Sequence, residues 1–248
     1  MPADAPTTPA AAEPASAATA PDRPRPGRRR RTVIAATAAL AVLLALPAAD
    51  AFARHRGEDR LADRIAARHP DLRSKPQVEI GGYPFLLGAA RGAHPEVRVR
   101  ADGHAPDGRP VEADVELGGV SREKDGYTAS AVDARFTVPF EALAGEAGGK
   151  ATLSDAGNGR LRIERRALGL PVAVTAELRL QGDTVTLHAT SATLAGAPVD
   201  PAMPMIRQAL AEKQWKLPAL PWGLHASEVS VGPDGVTAHA RGEDVTLD

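Results

Sequence analysis

The chain has 248 residues, a formal net charge of -1 and no cysteine. A near-neutral balance argues against a general nucleic-acid binder, which needs a clearly basic surface. The missing cysteine excludes disulfides, thiol nucleophiles, zinc–thiolate sites and iron–sulfur clusters, and it leaves the compartment open.

Residues 1–27 are mostly Pro, Ala and Thr with a few charges. They carry too little apolar bulk to offset the entropy of ordering, so a disordered tail is expected. Arg28–Arg31 follow, then the uncharged run TVIAATAALAVLLALPAA from Thr32 to Ala49. At about 1.5 Å per residue this run is just long enough for a hydrocarbon core of about 30 Å. The basic block before it should stay in the cytoplasm and send the rest of the chain outside. Residues 28–53 therefore read as a basic cluster and a transmembrane signal anchor, or as a cleavable signal peptide. Ala49-Asp50-Ala51 and Ala51-Phe52-Ala53 both have the small-x-small spacing of a cleavage site, but the run exceeds a usual h-region of about 7–15 residues. The arginines also resemble a twin-Arg export signal, except that Arg31 and Thr32 stand where large apolar residues belong. The leading readings both make residues 54–248 an exported domain.

That domain opens with a predicted amphipathic helix over residues 54–69. Leu61, Ile65 and Ala66 repeat at helical spacing, Arg60, Asp63, Arg64 and Arg68 occupy other faces, and Pro70 ends it. From Gln77 the period becomes two. Val97, Val99 and Ala101 alternate with Arg98 and Arg100, and Val111, Ala113, Val115 and Leu117 alternate with Glu112, Asp114 and Glu116. Val132, Ala134, Phe136 and Val138 form the next strand, and Leu161 and Ile163 another. The run from Val172 to Leu180 turns at Gly182-Asp183 and pairs back through Val185, Leu187 and Ala189. Pro233-Asp234-Gly235 closes a last hairpin. Short helices are expected near Pro139–Gly145 and Pro201–Lys213. The pattern predicts an α+β domain, a curved antiparallel meander of about eight strands wrapped around the first helix, each strand apolar on one face and charged on the other.

Motifs for chemistry are missing. The seven histidines show no metal-site spacing, and there is no nucleophile elbow, phosphate loop or dinucleotide fingerprint. No catalytic, metal or cofactor site is expected. Glu112, Asp114 and Glu116 satisfy a carboxylate-pair requirement only as any acidic strand face does.

The bulky side chains are concentrated instead. GGYPFLLGAARG, residues 81–92, holds Tyr83, Phe85, Leu86 and Leu87 between glycines, as a short rigid segment that lines an apolar groove, pins the first helix to the sheet, or does both. KQWKLPALPWGL, residues 213–224, holds Trp215 and Trp222 in a proline-broken stretch, as core plugs or at a lipid–water boundary. The candidate lipid contacts are Tyr83, Phe85, Leu86, Leu87, Phe136, Trp215 and Trp222, with Lys213 and Lys216 as candidate headgroup contacts.

Two stretches also carry a family likeness. VEIGGYPFLLGAARGAHPEVRVRADG and the closing LPALPWGLHASEVSVGPDGVTAHARGEDVTL resemble the LmeA-like phospholipid-binding family of actinobacterial envelope proteins, over roughly residues 56–248. The resemblance implies an exported, membrane-associated domain with a fold similar to tubular lipid-binding proteins, and the missing motifs make a non-catalytic one the leading expectation. It further implies binding or transfer of phospholipid in support of envelope glycolipid assembly. It carries over no individual contact residue. A scaffolding protein and a carboxylate-dependent envelope hydrolase are the alternatives from other classes.

Overall fold

A computed structural model describes residues 27–124, 126–146, 151–167 and 169–247, with side chains from Ala45 onward. The expected tail lies outside these residues apart from Gly27. The apolar run Thr32–Ala49 is described by its backbone alone as far as Leu44. Among the described residues no helix is long and apolar enough to cross a membrane.

The first helix, α1, spans Gly27–Arg68 and contains Pro47. It extends far upstream of the segment 54–69 that periodicity marks. Alanine-rich sequence has the highest helix propensity without any two-faced pattern, so a periodicity argument passes over it. The part of α1 from Leu46 belongs to one compact unit with the rest of the chain.

That unit contains two sheets where the sequence suggests one meander. The first has six antiparallel strands, running in space from β1 (Gln77–Ile80) through β2 (Ala93–His104), β3 (Pro110–Glu123), β4 (Gly126–Pro139) and β12 (Gly235–Leu247) to β11 (Ala226–Gly232). The second runs from β10 (Trp215–Lys216) through β8 (Thr184–Leu194), β7 (Leu170–Gln181) and β6 (Arg160–Ala167) to β5 (Thr152–Asp155), with β9 (Ala197–Val199) also on β8. The division follows from β12, which is 13 residues long and passes beyond its hairpin partner β11 to pair with β4 from Gly235↔Pro139 to Leu247↔Tyr127. Helix α3 (Phe140–Glu146) follows the first sheet's β4, and α4 (Pro204–Ala211) packs on the second sheet. Both lie within about three residues of the predicted helices. A further helix, α2 (Phe85–Arg91), stands where a short rigid segment is expected, and it ends at Gly92 with φ 66°.

Three apolar clusters hold the unit together. The first joins Ala62 of α1, with Leu61 and Ile65 beside it, to Val97, Val115, Leu117, Val132, Ala134 and Ala240 on the inner face of the first sheet. The second joins Leu143 of α3 and Val231 of β11 to Leu153 and the fully buried Leu161 of the second sheet. The third joins Leu210 of α4 to Val174 and Ala192. Strand β4 links the first two: Val132 and Ala134 face α1, Phe136 borders the first cluster, and Val138 packs in the second. Alternate residues of one strand thus form an unbroken apolar line between the clusters.

Candidate functional site

The segment GGYPFLLGAARG is placed by α1. Asp50 is only 6 % exposed, and its carboxylate oxygens accept hydrogen bonds from the backbone N–H groups of Phe85 (2.9 Å) and Leu86 (2.8 Å). These are the first N–H groups of α2, which have no acceptor within the helix. Pro84, which follows Tyr83 through a cis peptide bond, precedes them and offers no side-chain cap. Two turns along α1, the Glu58 carboxylate accepts from the N–H of Ile80 (2.9 Å) and from Arg54 Nε (2.9 Å). Two acidic side chains of α1 therefore fix both the end of β1 and the start of α2.

Phe85 closes this joint from inside. It is 8 % exposed and stacks on the His94 ring at 5.3 Å between centroids. A Cβ on Gly57 of α1 would come within 2.8 Å of its ring tip, so the helix crosses at a residue without a side chain. Burial lowers the pKa of His94 below the ordinary histidine value.

The neighbouring side chains do the opposite. Tyr83 is 78 % exposed, and Leu86, Leu87 and Leu46 are exposed too. A cleft of about 280 Å³ lies between Tyr83 and Pro47, Asp50, Ala51, Arg54 and His55 of α1. A second, of about 360 Å³, lies under α2 against Phe85, Leu87, His94 and Val120. Large apolar side chains held in the open at one end of a sheet mark a contact surface.

The other candidates fall into the interior. Phe136 and Trp222 are half-buried at the margin of the first cluster, and Trp215 is half-buried in the second. Trp222 adopts φ 55° and ψ 25° between Pro221 and Gly223, a left-handed conformation costing about 1–2 kcal/mol for a side chain other than glycine. Its ring packing must outweigh that cost. Lys213 is half-buried just after α4, while Lys216 is exposed on β10 opposite Thr184. The nine candidates thus divide into the exposed Tyr83, Leu86 and Leu87 around the buried Phe85, the half-buried Phe136, Trp215 and Trp222, and the lysine pair beside the second sheet. Asp50 and Glu58 carry no motif, so sequence reasoning passes over them.

The acidic face of β3 has a different occupation. Glu116 pairs with Arg98, and Asp114 lies 3.6 Å from Arg100. In the next strand Asp133 lies 3.0 Å from Arg241. These charges form cross-strand rows on the face opposite α1, Arg98↔Glu116↔Asp133↔Arg241 and Arg100↔Asp114↔Arg135↔His239. A dish of about 770 Å³ lies along the same face beside Glu116, Gly118, Asp133 and Glu243. Carboxylates neutralised by arginines on a solvated sheet have no free partner for acid–base work. Among the described residues no group of acidic and histidine side chains is arranged to hold a metal ion.

No curated protein sequence and no solved structure matches the chain. A family model does match, over residues 48–241, which takes in the Asp50 joint and both sheets apart from the last residues of β12. The chain belongs to the LmeA-like phospholipid-binding family.

Proposed function

We propose that the protein binds a phospholipid without catalysis and carries or presents it at the cell envelope. The observation that carries this reading is the unbroken apolar line of β4 from Val132 to Val138, lying between exposed apolar side chains on α2 and the core under the second sheet. Six residue steps at about 3.3 Å give about 20 Å. One leaflet of a hydrocarbon core is about 15 Å deep, so the line matches an acyl chain in length. Tyr83, Leu86 and Leu87 are the entry, and Phe136 and Trp215 the interior lining. Lys213 and Lys216 are headgroup contacts in this reading. The ion-paired state of Asp114 and Glu116 speaks against the hydrolase alternative.

The test is native mass spectrometry of the purified full chain after exposure to phospholipid vesicles. Retained phospholipid in the wild type, reduced in Phe136→Asp and in Leu86→Asp, is the expected result. A chain that retains no phospholipid under any loading condition ends the proposal.

We further propose that residues 28–53 stay attached as a membrane anchor, with the folded unit outside the cytoplasm. Cleavage after either small-x-small site, at Ala51 or Ala53, would remove Asp50, the carboxylate that holds α2. A reporter fused after Asp248 should work only outside the cytoplasm. The mature chain should retain the mass of the segment containing Asp50.

A further inference from the structure

At the far end of the second sheet, two turns lie side by side. One joins β6 to β7 and the other joins β8 to β9, and the N–H of Ala195 in the second donates to the carbonyl of Pro171, the second residue of β7 (2.8 Å). Val172 and Val174 belong to the apolar inner face that α4 covers. Leu170 continues that face along β7, and Leu194 lies directly opposite Val172, yet they are 47 % and 40 % exposed. The inner face therefore runs out past its cover at this edge.

Arg165 begins the same row, paired with Val172 and then Leu194 across β6, β7 and β8, so a cation stands at the end of a row that the next two strands fill with apolar groups. Arg166 follows on the outer face. Both are exposed, and among the described residues neither has a carboxylate partner. By contrast, Arg162 on the same strand bonds Glu164 at 2.6 Å. Folding alone gives no account of an inward arginine beside two exposed leucines. An interface between water and an anionic lipid surface does: leucines enter the acyl boundary while the arginines meet phosphate.

We infer that this edge, Arg165, Arg166, Leu170 and Leu194, is a membrane-docking surface selective for anionic phospholipid. It is separate from the interior that holds lipid, so either can fail without the other. In the cell it would bring the folded unit against a bilayer from which a lipid is taken or to which it is given.

The chain's lack of cysteine makes the test direct. Ala197→Cys, exposed and opposite Leu194, gives a single attachment point for an environment-sensitive fluorophore. The full chain is kept in phosphatidylcholine nanodiscs, and vesicles are added in trans. Vesicles containing phosphatidylglycerol should shift the emission to the blue, while phosphatidylcholine vesicles and inorganic phosphate should not. Arg165→Gln with Arg166→Gln should weaken the partition about thirtyfold. Leu170→Ser with Leu194→Ser should abolish the shift even at saturating vesicle. Phospholipid retained in native mass spectrometry should be unchanged in both variants. No shift with phosphatidylglycerol, an equal shift with phosphatidylcholine, or a shift unaffected by the arginine changes would each overturn the inference. A second label at the exposed Gln181, at the end of β7 away from Leu170, should stay silent, and a shift there equal to that at residue 197 would overturn it too.

Discussion

Replacing Asp50 tests the joint between α1 and α2. In Asp50→Ala the N–H groups of Phe85 and Leu86 lose acceptors at 2.9 and 2.8 Å, the first of them buried. A buried donor left without a partner costs about 1–3 kcal/mol, and bonds to a charged group stand at the upper end. Two such losses, softened by water reaching the more open Leu86, amount to about 3 kcal/mol. For a unit of this size, each kcal/mol moves the melting temperature by roughly 2–4 °C, so a fall of roughly 6–12 °C is expected. Asp50→Asn keeps one carbonyl acceptor and should lose about half as much. Thermal unfolding of the full chain gives the magnitude, and amide exchange at Phe85 and Leu86 gives the location. If Asp50→Ala melts within about 1 °C of the wild type, or both amides remain protected, the capping role assigned to Asp50 is wrong.

Gly57→Ala should destabilise the protein by about 1–3 kcal/mol despite alanine's better helix propensity, because its Cβ meets the Phe85 ring; a denaturant midpoint at or above the wild-type value would show that the ring yields. Phe85→Ala should cost about 3–5 kcal/mol, whereas Leu86→Ser should stay within about 0.5 kcal/mol while reducing retained phospholipid, a separation read from urea melts and native mass spectrometry side by side. With its pKa lowered by burial, folded His94 holds fewer protons than the unfolded chain. Stability should therefore be level above about pH 6.5 and decline as pH falls below it, with a shallower decline in His94→Gln. Emission from Trp215 and Trp222 should already be blue of free tryptophan in the absence of vesicles, because both rings are half-buried in core clusters; a fully water-like spectrum would contradict that packing.

Much of the fold was legible because alternation reports one thing, which face of a strand is covered. The run from Val172 to Leu180 and its return through Val185 became β7 and β8 with the Gly182-Asp183 turn between them. The lost parts are those that alternation does not encode. Nothing local says that β12 continues past β11 to close on β4, since the partner is about a hundred residues away, and that pairing converts one meander into two sheets. Nor does a two- or three-residue pattern expose α2, whose seven residues are held in place by a carboxylate 35 positions upstream. The Ala-Asp-Ala spacing that reads as a cleavage signal contains that same carboxylate. Of the candidate residues, Phe85 packs against α1 beside Gly57, while Tyr83 and Leu87 stand exposed.

The arrangement of charge between β2 and β3 leaves an ambiguity in strand alignment. Strand β2 presents arginines at 98 and 100, and the facing side of β3 presents acids at 112, 114 and 116. Slide one strand by two residues and Arg98 meets Asp114 instead of Glu116, while Val97 meets Val115 instead of Leu117. Attraction and burial both survive the slide, so side chains choose the neighbour without choosing the offset. The offset is left to the loop between them. There the N–H of Ala105 donates to the Arg109 carbonyl, and the N–H of Gly108 donates to the Ala105 carbonyl (both 2.8 Å). The N–H of Arg109 donates to the Asp107 carboxylate (3.1 Å), and Gly108 sits at φ 83°. A short exposed loop, far from any apolar cluster, thereby acts as the ruler for two of the longest strands in the molecule, and a branched residue at Gly108 would disturb the whole row of pairs out of proportion to the space it fills.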